Sequence, residues 1–246
     1  MKFNKLLIPL FLLFFFLSCQ YKVEPVNPTS WRIRSVKTNF EIITYDYVNG
    51  QLKQTKTERF YTDSLGHVPK NVCSNWSIEN EQLLEKVCSN DLKVGFFAQI
   101  GANGKISEQD WAYTYRTNEY DNNGFLTKMS HFSHDPSRRL FQSMKYEISN
   151  NNVIKEWIIN ADGKEYLINE FEYYEDKMNT IGNENGGLTW RERSSQNLLK
   201  KIKNHYNNEI IETVYTYDFD DKNRVVRTYF SINNGNSIKG NEYTYW

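Results

Sequence analysis

The chain contains 246 residues, of which 30 are Lys or Arg and 30 are Asp or Glu, and its mean hydropathy is −0.71. Proteins that bind nucleic acid need a basic excess or a basic patch to neutralise phosphates, so this balance of charge argues against nucleic acid as a partner. The length suits one large β domain or two small ones, and we expect a single domain because β barrels and sandwiches of this size commonly form one unit.

The N-terminus has the parts of a bacterial signal peptide. Lys2 and Lys5 provide positive charge, and residues 6–17 are apolar or aromatic apart from one proline. This run has the length of a signal-peptide core and is shorter than the ~20 residues that a membrane-spanning helix needs. We therefore predict that the chain is exported.

Ser18 and Cys19 mark the predicted cleavage point. A small residue immediately before a cysteine resembles the lipobox of bacterial lipoproteins, although Phe16 stands where leucine is usual. We predict that residues 1–18 are a lipoprotein signal peptide and that Cys19 carries the lipid, including palmitate. An ordinary secretory signal and a membrane-anchoring segment are the alternatives. Gln20 replaces the aspartate that retains lipoproteins in the inner membrane, so the expected location is the outer membrane, on its periplasmic side or at the cell surface.

The mature chain is predicted to begin with a tether. Residues 19–30 contain two prolines and no apolar periodicity, which is typical of a flexible linker. Residues 31–246 form the predicted single all-β domain. Removing the signal peptide takes away two lysines and no acidic residue, which leaves 28 basic and 30 acidic residues.

A single pattern recurs from residue 31 onwards: alternating aromatic and polar residues, a turn rich in Asn, Asp and Gly, and another alternating stretch. Trp111, Tyr113 and Tyr115, for example, have the spacing of one face of a strand. Short connections make neighbouring strands antiparallel. We predict a β-meander of roughly a dozen strands that curls into a barrel, a half barrel or a bent open sheet. Asn-Gly, Asp-Gly and similar sequences supply the positive φ angles of tight hairpins, and they predict turns at residues 49–50, 122–124, 149–152, 162–163, 220–223 and 233–236.

One short helix is predicted at residues 78–87. Leu83, Leu84 and Val87 share one stripe of this helix, and glutamates lie outside the stripe. The surrounding residues 68–94 are expected to be an insertion that leaves the sheet.

Two cysteines flank the predicted helix. With Cys19 acylated, Cys73 and Cys88 remain. An even number of thiols in an oxidising compartment favours a disulfide. Two buried free thiols are the alternative, because spacing does not show whether the two side chains meet.

A second departure from the strand pattern covers residues 179–197. Its centre reads Asn185-Gly186-Gly187-Leu188. This Gly and Asn content indicates an ordered long loop rather than a strand.

The repeated units carry a family resemblance. Tyr-x-Tyr-Asp units followed by Gly-x-Leu-x-Lys, or close variants, occur at residues 45–53, 119–128 and 216–227. A Ser-x-Asn-Leu-Leu-Lys segment, residues 195–200, precedes a predicted strand. In these features residues 31–246 resemble a Bacteroidetes-type family of secreted lipoproteins of unknown function with tyrosine-aspartate hairpin repeats, described as porin-like in fold. The resemblance implies a β-meander and a cell-envelope location, and it brings no catalytic residues. The chain departs from the family at the 68–94 insertion.

No sequence motif points to a metal, a nucleophile or a cofactor, and we predict none. His131 and His134 are three residues apart, which on a strand places them on opposite faces, so we interpret them as surface polar residues. Asp218, Asp220 and Asp221 lack the glycine and glutamate of a calcium loop, and hairpin turn chemistry explains them.

Ser64 is a candidate modification site. Asp63-Ser64-Leu65 resembles the short acceptor motif for O-glycosylation in Bacteroidetes-type envelopes. A plain turn explains the same residues equally well.

The aromatic content is the most suggestive feature for function, with 17 Tyr and 6 Trp. Tyrosine buries a ring while its hydroxyl stays hydrated, and rings in excess of those that fill the core would stack on sugars or peptides. We predict a non-enzymatic, lipid-anchored binding or structural module whose partner is a glycan or an envelope protein. The alternatives are an envelope glycan hydrolase with a carboxylate pair and a barrel that spans the outer membrane.

Overall fold

The computed structural model describes residues 32–38, 41–49, 51–59, 72–79, 82–87, 97–111, 114–133, 135–185, 188 and 191–246. Every regular element within these residues is a β-strand, which confirms the predicted all-β class. The predicted signal peptide and tether, Cys19, Ser64 and Cys88 lie outside the described residues. None of the described residues belongs to a helix of the length and apolar character that crossing a bilayer would require.

The described chain forms sixteen strands, each of which pairs with its neighbours in sequence in an antiparallel arrangement. The predicted antiparallel meander is therefore confirmed. The strands are β1 (Ile33–Lys37), β2 (Glu41–Val48), β3 (Gln51–Arg59), β4 (Val72–Glu79), β5 (Gln82–Val87), β6 (Phe97–Ile100), β7 (Ile106–Trp111), β8 (Thr114–Tyr120), β9 (Leu126–Ser133), β10 (Leu140–Ser149), β11 (Asn152–Asn160), β12 (Glu165–Met178), β13 (Asn197–Tyr206), β14 (Glu209–Phe219), β15 (Val225–Ile232) and β16 (Ile238–Tyr245).

The sheet returns on itself as a closed barrel because β1 pairs with β16. Val36 lies opposite Tyr243 in this pair, and the hydroxyls of Ser35 and Thr244 are 2.8 Å apart. Just beyond the two strands, the backbone N–H of Trp246 donates to the carbonyl of Arg32 at 3.1 Å. Both ends of the described chain therefore lie at the same end of the barrel, which we call the loop end.

The predicted hairpin turns are confirmed, and asparagine supplies much of their left-handed backbone. Positive φ angles occur at Asn49, Asn150, Asn151, Asn223 and Asn233, among other turn residues. Asparagine tolerates this conformation better than most residues because its short polar side chain bonds locally. The turns therefore explain why the strand boundaries follow the Asn-rich segments of the sequence.

The predicted helix at residues 78–87 is wrong. Residues 72–79 and 82–87 are the paired strands β4 and β5, with Ile78 opposite Leu83. Both strands are members of the barrel, since β4 also pairs with β3 and β5 with β6, so this segment does not leave the sheet. A helix of ten residues has little stability of its own, whereas the strands gain ladder hydrogen bonds on both sides. Whether the segment is an insertion relative to the family stays a prediction.

The predicted continuous strand through Trp111 and Tyr115 is also wrong. Trp111 ends β7 and lies opposite Thr114, the first residue of β8, so the chain reverses between them. This hairpin contains none of the Gly or Asn signals of the other turns. Reversals of this kind raise the number of described strands above the dozen that we predicted.

The two faces of the sheet differ in chemistry, as β12 shows. Phe171 and Tyr173 face the interior, and Glu170 and Glu172 alternate with them on the outer face. Glu172 there lies 3.0 Å from Lys203 of β13. Similar ion pairs join other strands on the outer face, between Lys201 and Glu212 and between Lys145 and Glu165. On the same face, Nε2 of His205 lies 2.8 Å from Oε1 of Glu170.

Interior tyrosines tie neighbouring strands together near the loop end. Each of these tyrosines lies in the second half of an even-numbered strand and donates its hydroxyl to a carbonyl within the first three residues of the preceding strand. The bonds run from Tyr47 to Ile33, Tyr120 to Ile106, Tyr173 to Val153, Tyr217 to Leu199 and Tyr245 to Val225, at 2.7 to 2.8 Å. We call these side chains the latch tyrosines. They show that part of the tyrosine content is structural.

The latch tyrosines predict a loss of stability at alkaline pH. Burial raises the pKa of Tyr120 and of Tyr245 from 10.0 to about 12. Because the folded barrel favours the neutral hydroxyl, the stabilisation is complete below pH 10 and is lost as the pH rises towards 12 and beyond. We expect the midpoint of thermal unfolding to fall over this pH range, together with the absorbance change of tyrosinate formation. Full ionisation of the tyrosines near pH 10 in the folded protein would contradict this account.

Candidate functional site

The long connection between β12 and β13, residues 179–196, crosses the loop end of the barrel. Its described residues contain no strand, and they are fixed by hydrogen bonds to several parts of the ring, which confirms the predicted ordered loop. Leu188 packs against the interior apolar cluster that includes Leu52 and Leu83. The loop therefore extends from the rim into the barrel.

Backbone hydrogen bonds hold this loop to strands and turns around the ring. The N–H of Arg193 donates to the carbonyl of Gly124 at 2.8 Å, and the N–H of Gln196 donates to the carbonyl of Asn151 at 2.9 Å. On the opposite side of the ring, the N–H of Ile33 donates to the carbonyl of Asn185 at 3.1 Å. The loop is thus attached to β1 as well as to the β8–β9 and β10–β11 turns.

Thr180 attaches the loop to β15. Its side chain is 1% exposed, and its hydroxyl accepts from the N–H of Val225 at 2.9 Å. Within the loop, Gly182 passes so close to Ser194 that a Cβ on the glycine would lie 2.7 Å from the serine Cβ. Glycine is therefore required at this crossing.

A cavity of about 500 Å³ lies in the barrel beside this loop. We call it the tyrosine cavity. Tyr173, Tyr215, Tyr217 and Tyr243 line its wall, and loop residues such as Asn183 and Ser194 line it from the other side. Aromatic faces and amide groups together suit a ligand that has both apolar faces and hydroxyls, such as a sugar.

The hydroxyls in the tyrosine cavity are not equivalent. Those of Tyr173 and Tyr217 are latched to carbonyls, whereas that of Tyr243 accepts from Asn241 at 3.2 Å and that of Tyr215 has no hydrogen bond within the described part of the chain. Burial raises the pKa of Tyr215 and of Tyr243, so both hydroxyls stay protonated at neutral pH. Both can therefore donate to a ligand.

A second cavity of about 270 Å³ lies on the other side of Glu192, which lines both spaces. We call it the amide cavity because Gln109 and Asn118 contribute to its wall. The remaining lining residues are Ile106, Arg116, Tyr120, Leu126, Met129 and Arg191.

Among the candidate site residues singled out in the sequence, those whose side chains the structure describes line neither cavity. Cys19, Ser64, Cys88 and His134 lie outside the described residues, and of Cys73 only the backbone position in β4 is described. The lipid, the disulfide and the glycosylation therefore stay predictions. His131 is half-buried in β9, and burial, followed by the charge of Arg116, lowers its pKa.

The acidic turn is confirmed as hairpin chemistry. The carboxylate of Asp220 accepts from the N–H groups of Lys222 and Arg224 at 3.0 and 2.9 Å and lies 2.7 Å from the Arg224 guanidinium. Asp121 caps the β8–β9 turn in the same way. Among the described residues, no group of three His, Cys, Asp or Glu side chains is placed to hold a metal ion.

Gln109, Asn118 and Arg116 were not identified from the sequence. They come from two neighbouring strands, and no motif or turn signal accompanies them. The only available signal was the presence of polar residues at interior positions of predicted strands.

Comparison with known proteins gives a likeness of fold. No protein-family model matches the chain, and no curated protein matches it in sequence. A crystal structure of a porin-like protein from Bacteroides uniformis ATCC 8492 is similar with a TM-score of 0.62 at 11% identity, over 86% of this chain and 97% of that chain. A second porin-like protein, from Bacteroides vulgatus ATCC 8482, gives a TM-score of 0.49 at 16% identity, over 87% of this chain and 99% of that one. The first of these comparisons shows that the chain has a fold similar to that of the porin-like protein from Bacteroides uniformis.

Proposed function

We propose that the protein is a lipid-anchored, non-enzymatic component of the bacterial cell envelope that binds a short stretch of neutral glycan in the tyrosine cavity. The observation that carries this proposal is the wall of Tyr173, Tyr215, Tyr217 and Tyr243, which faces an amide-rich loop across a space of about 500 Å³. The similarity of fold to a porin-like protein from Bacteroides uniformis and the predicted lipobox at Cys19 support the envelope location.

A lipid on Cys19 would favour one orientation of the barrel relative to the membrane. The described chain begins at the loop end, so a lipid on Cys19 would hold that end towards the membrane. The opposite end would then point away from the membrane. Exposed apolar side chains occur near that opposite end, including Tyr206, Ile232 and Ile238. We infer that a glycan enters there and reaches the tyrosine cavity through the barrel.

Calorimetric titration with neutral envelope oligosaccharides tests the proposal. We expect Tyr215→Ala to weaken binding about tenfold, because both the aromatic face and a free hydroxyl are lost. The matched control is Tyr229→Ala, since Tyr229 lies on the outer face and donates to Asp218 at 2.8 Å. Added salt should scarcely change the affinity, because stacking and neutral hydrogen bonds carry the binding.

Two results would contradict the proposal. Equal effects of the Tyr215 and Tyr229 substitutions would show that the cavity is not the site. Release of new reducing ends from the oligosaccharide would favour a glycan hydrolase, for which Glu156 and Glu192 are interior carboxylates.

A further inference from the structure

The amide cavity contains buried acceptor atoms that lack donors. Gln109 is 5% exposed, and its Oε1 atom has no hydrogen-bond partner within the described part of the chain. The same holds for Oδ1 of Asn118, which lines the same cavity. Native proteins keep few such atoms, and those they keep often mark a place for a water molecule or a ligand.

The orientation of the Asn118 amide is fixed by its neighbours. Its Nδ2 donates to the carbonyl of Ile106 at 3.0 Å, and the hydroxyl of Tyr120 donates to the same carbonyl at 2.7 Å. The amide nitrogen of Asn118 therefore points towards the backbone of Ile106, and the amide oxygen Oδ1 is the acceptor that faces the cavity. A ligand must bring an N–H or O–H donor to it.

Charges of both signs surround these acceptors. Arg116, Arg191 and Glu192 line the cavity. One terminal nitrogen of Arg116 donates to the sulfur of Met129 at 3.5 Å, and a thioether is a weak acceptor that a carboxylate can replace. Two arginines disfavour a simple cation, and the acceptor oxygens disfavour a simple anion. The cavity therefore suits a molecule that carries both charges.

We propose that the amide cavity binds a small zwitterion of the α-amino acid type. The carboxylate lies towards Arg116, and the ammonium donates towards Gln109 Oε1, Asn118 Oδ1 and the Glu192 carboxylate. The space of about 270 Å³ exceeds the ~30 Å³ share of a single water several times over, which leaves room for a side chain against the apolar wall. Ile106, Leu126 and Met129 supply that wall and favour an apolar amino acid.

The test is titration calorimetry on the full-length protein in detergent with L-methionine, N-acetyl-L-methionine and a neutral monosaccharide. We expect L-methionine to bind. The N-acetylated form should bind with an affinity at least about tenfold lower, because acetylation removes the charged ammonium donors. Gln109→Met should weaken L-methionine binding by a similar factor while the unfolding temperature stays the same or rises, since it removes a buried acceptor that has no donor.

Gln54→Met is the matched control. Gln54 lies on the outer face and donates to Oδ1 of Asn75 at 2.9 Å, so its replacement should leave L-methionine binding unchanged. The site is independent of glycan binding, and Tyr215→Ala should likewise leave the affinity for L-methionine unchanged. Absence of heat with L-methionine, equal binding of its N-acetyl form, or retained binding in the Gln109 variant would each overturn the proposal and leave water as the occupant.

Discussion

Replacement of Cys19 by alanine is expected to move the protein from the membrane fraction to the soluble fraction, as a monomer. The expectation rests on the predicted lipobox and on the outer face of the barrel. That face carries cross-strand ion pairs such as Lys203 with Glu172 at 3.0 Å and Lys145 with Glu165 at 3.1 Å. A lysine or arginine on the lipid face of a spanning barrel costs about 2–4 kcal/mol at the midplane of the bilayer, so we expect the lipid alone to hold the protein at the membrane.

The measurement is fractionation of cells that express the wild type or the variant, followed by gel filtration of the soluble fraction. Ser18→Ala is the control, because it keeps a small residue before the cysteine and should leave the protein in the membrane. A Cys19→Ala protein that stays in the membrane and needs detergent for extraction would show that the barrel itself spans the bilayer.

Leu83→Ala is expected to destabilise the barrel by about 2–5 kcal/mol. Leu83 is 1% exposed and packs in the interior cluster with Leu52, Ala98, Ile100 and Ile106. Its removal leaves a cavity where several strands meet. Urea unfolding followed by circular dichroism measures the difference in the free energy of unfolding.

Ile78→Ala is the matched control, because Ile78 lies opposite Leu83 in the β4–β5 pair yet is 49% exposed. We expect this substitution to change stability by no more than ~0.5 kcal/mol, as at most surface positions. Equal destabilisation by the two substitutions would contradict the arrangement of this hairpin.

Most of the fold was predictable because the residue types in most of the turns indicate that the chain reverses there. Asn49, Asn150 and Asn151 take positive φ, which few other residues do without cost, and the alternating stretches between such turns can pack only as strands. The reversals between β4 and β5 and between β7 and β8 were not predicted, because neither connection contains an Asn-Gly or Asp-Gly pair. For residues 78–87, a helical stripe of leucines was a local pattern that pairing with β3 and β6 overrode.

The two cavities could not be predicted, because closure of the barrel brings their residues together. Tyr173 and Tyr243 are separated by most of the C-terminal third of the chain, and Arg116 meets Arg191 only because the long loop enters the barrel. The period-2 pattern shows on which face of the sheet a tyrosine lies, but it does not show whether its hydroxyl will donate to a backbone carbonyl. Tyr217 is tied to Leu199, whereas the neighbouring Tyr215 on the same face is not.

The pairing of β1 with β16 restricts the order in which the barrel can fold. Ser35 and Thr244, whose hydroxyls meet across it, are separated by 209 positions in sequence. Every other pairing in the ring joins consecutive strands and forms locally, whereas this one must wait for the C-terminal strand to emerge and return to the start. Contacts of such long range form slowly. Until β1 and β16 pair, the sheet exposes two unpaired strand edges, which are the surfaces most prone to join other chains.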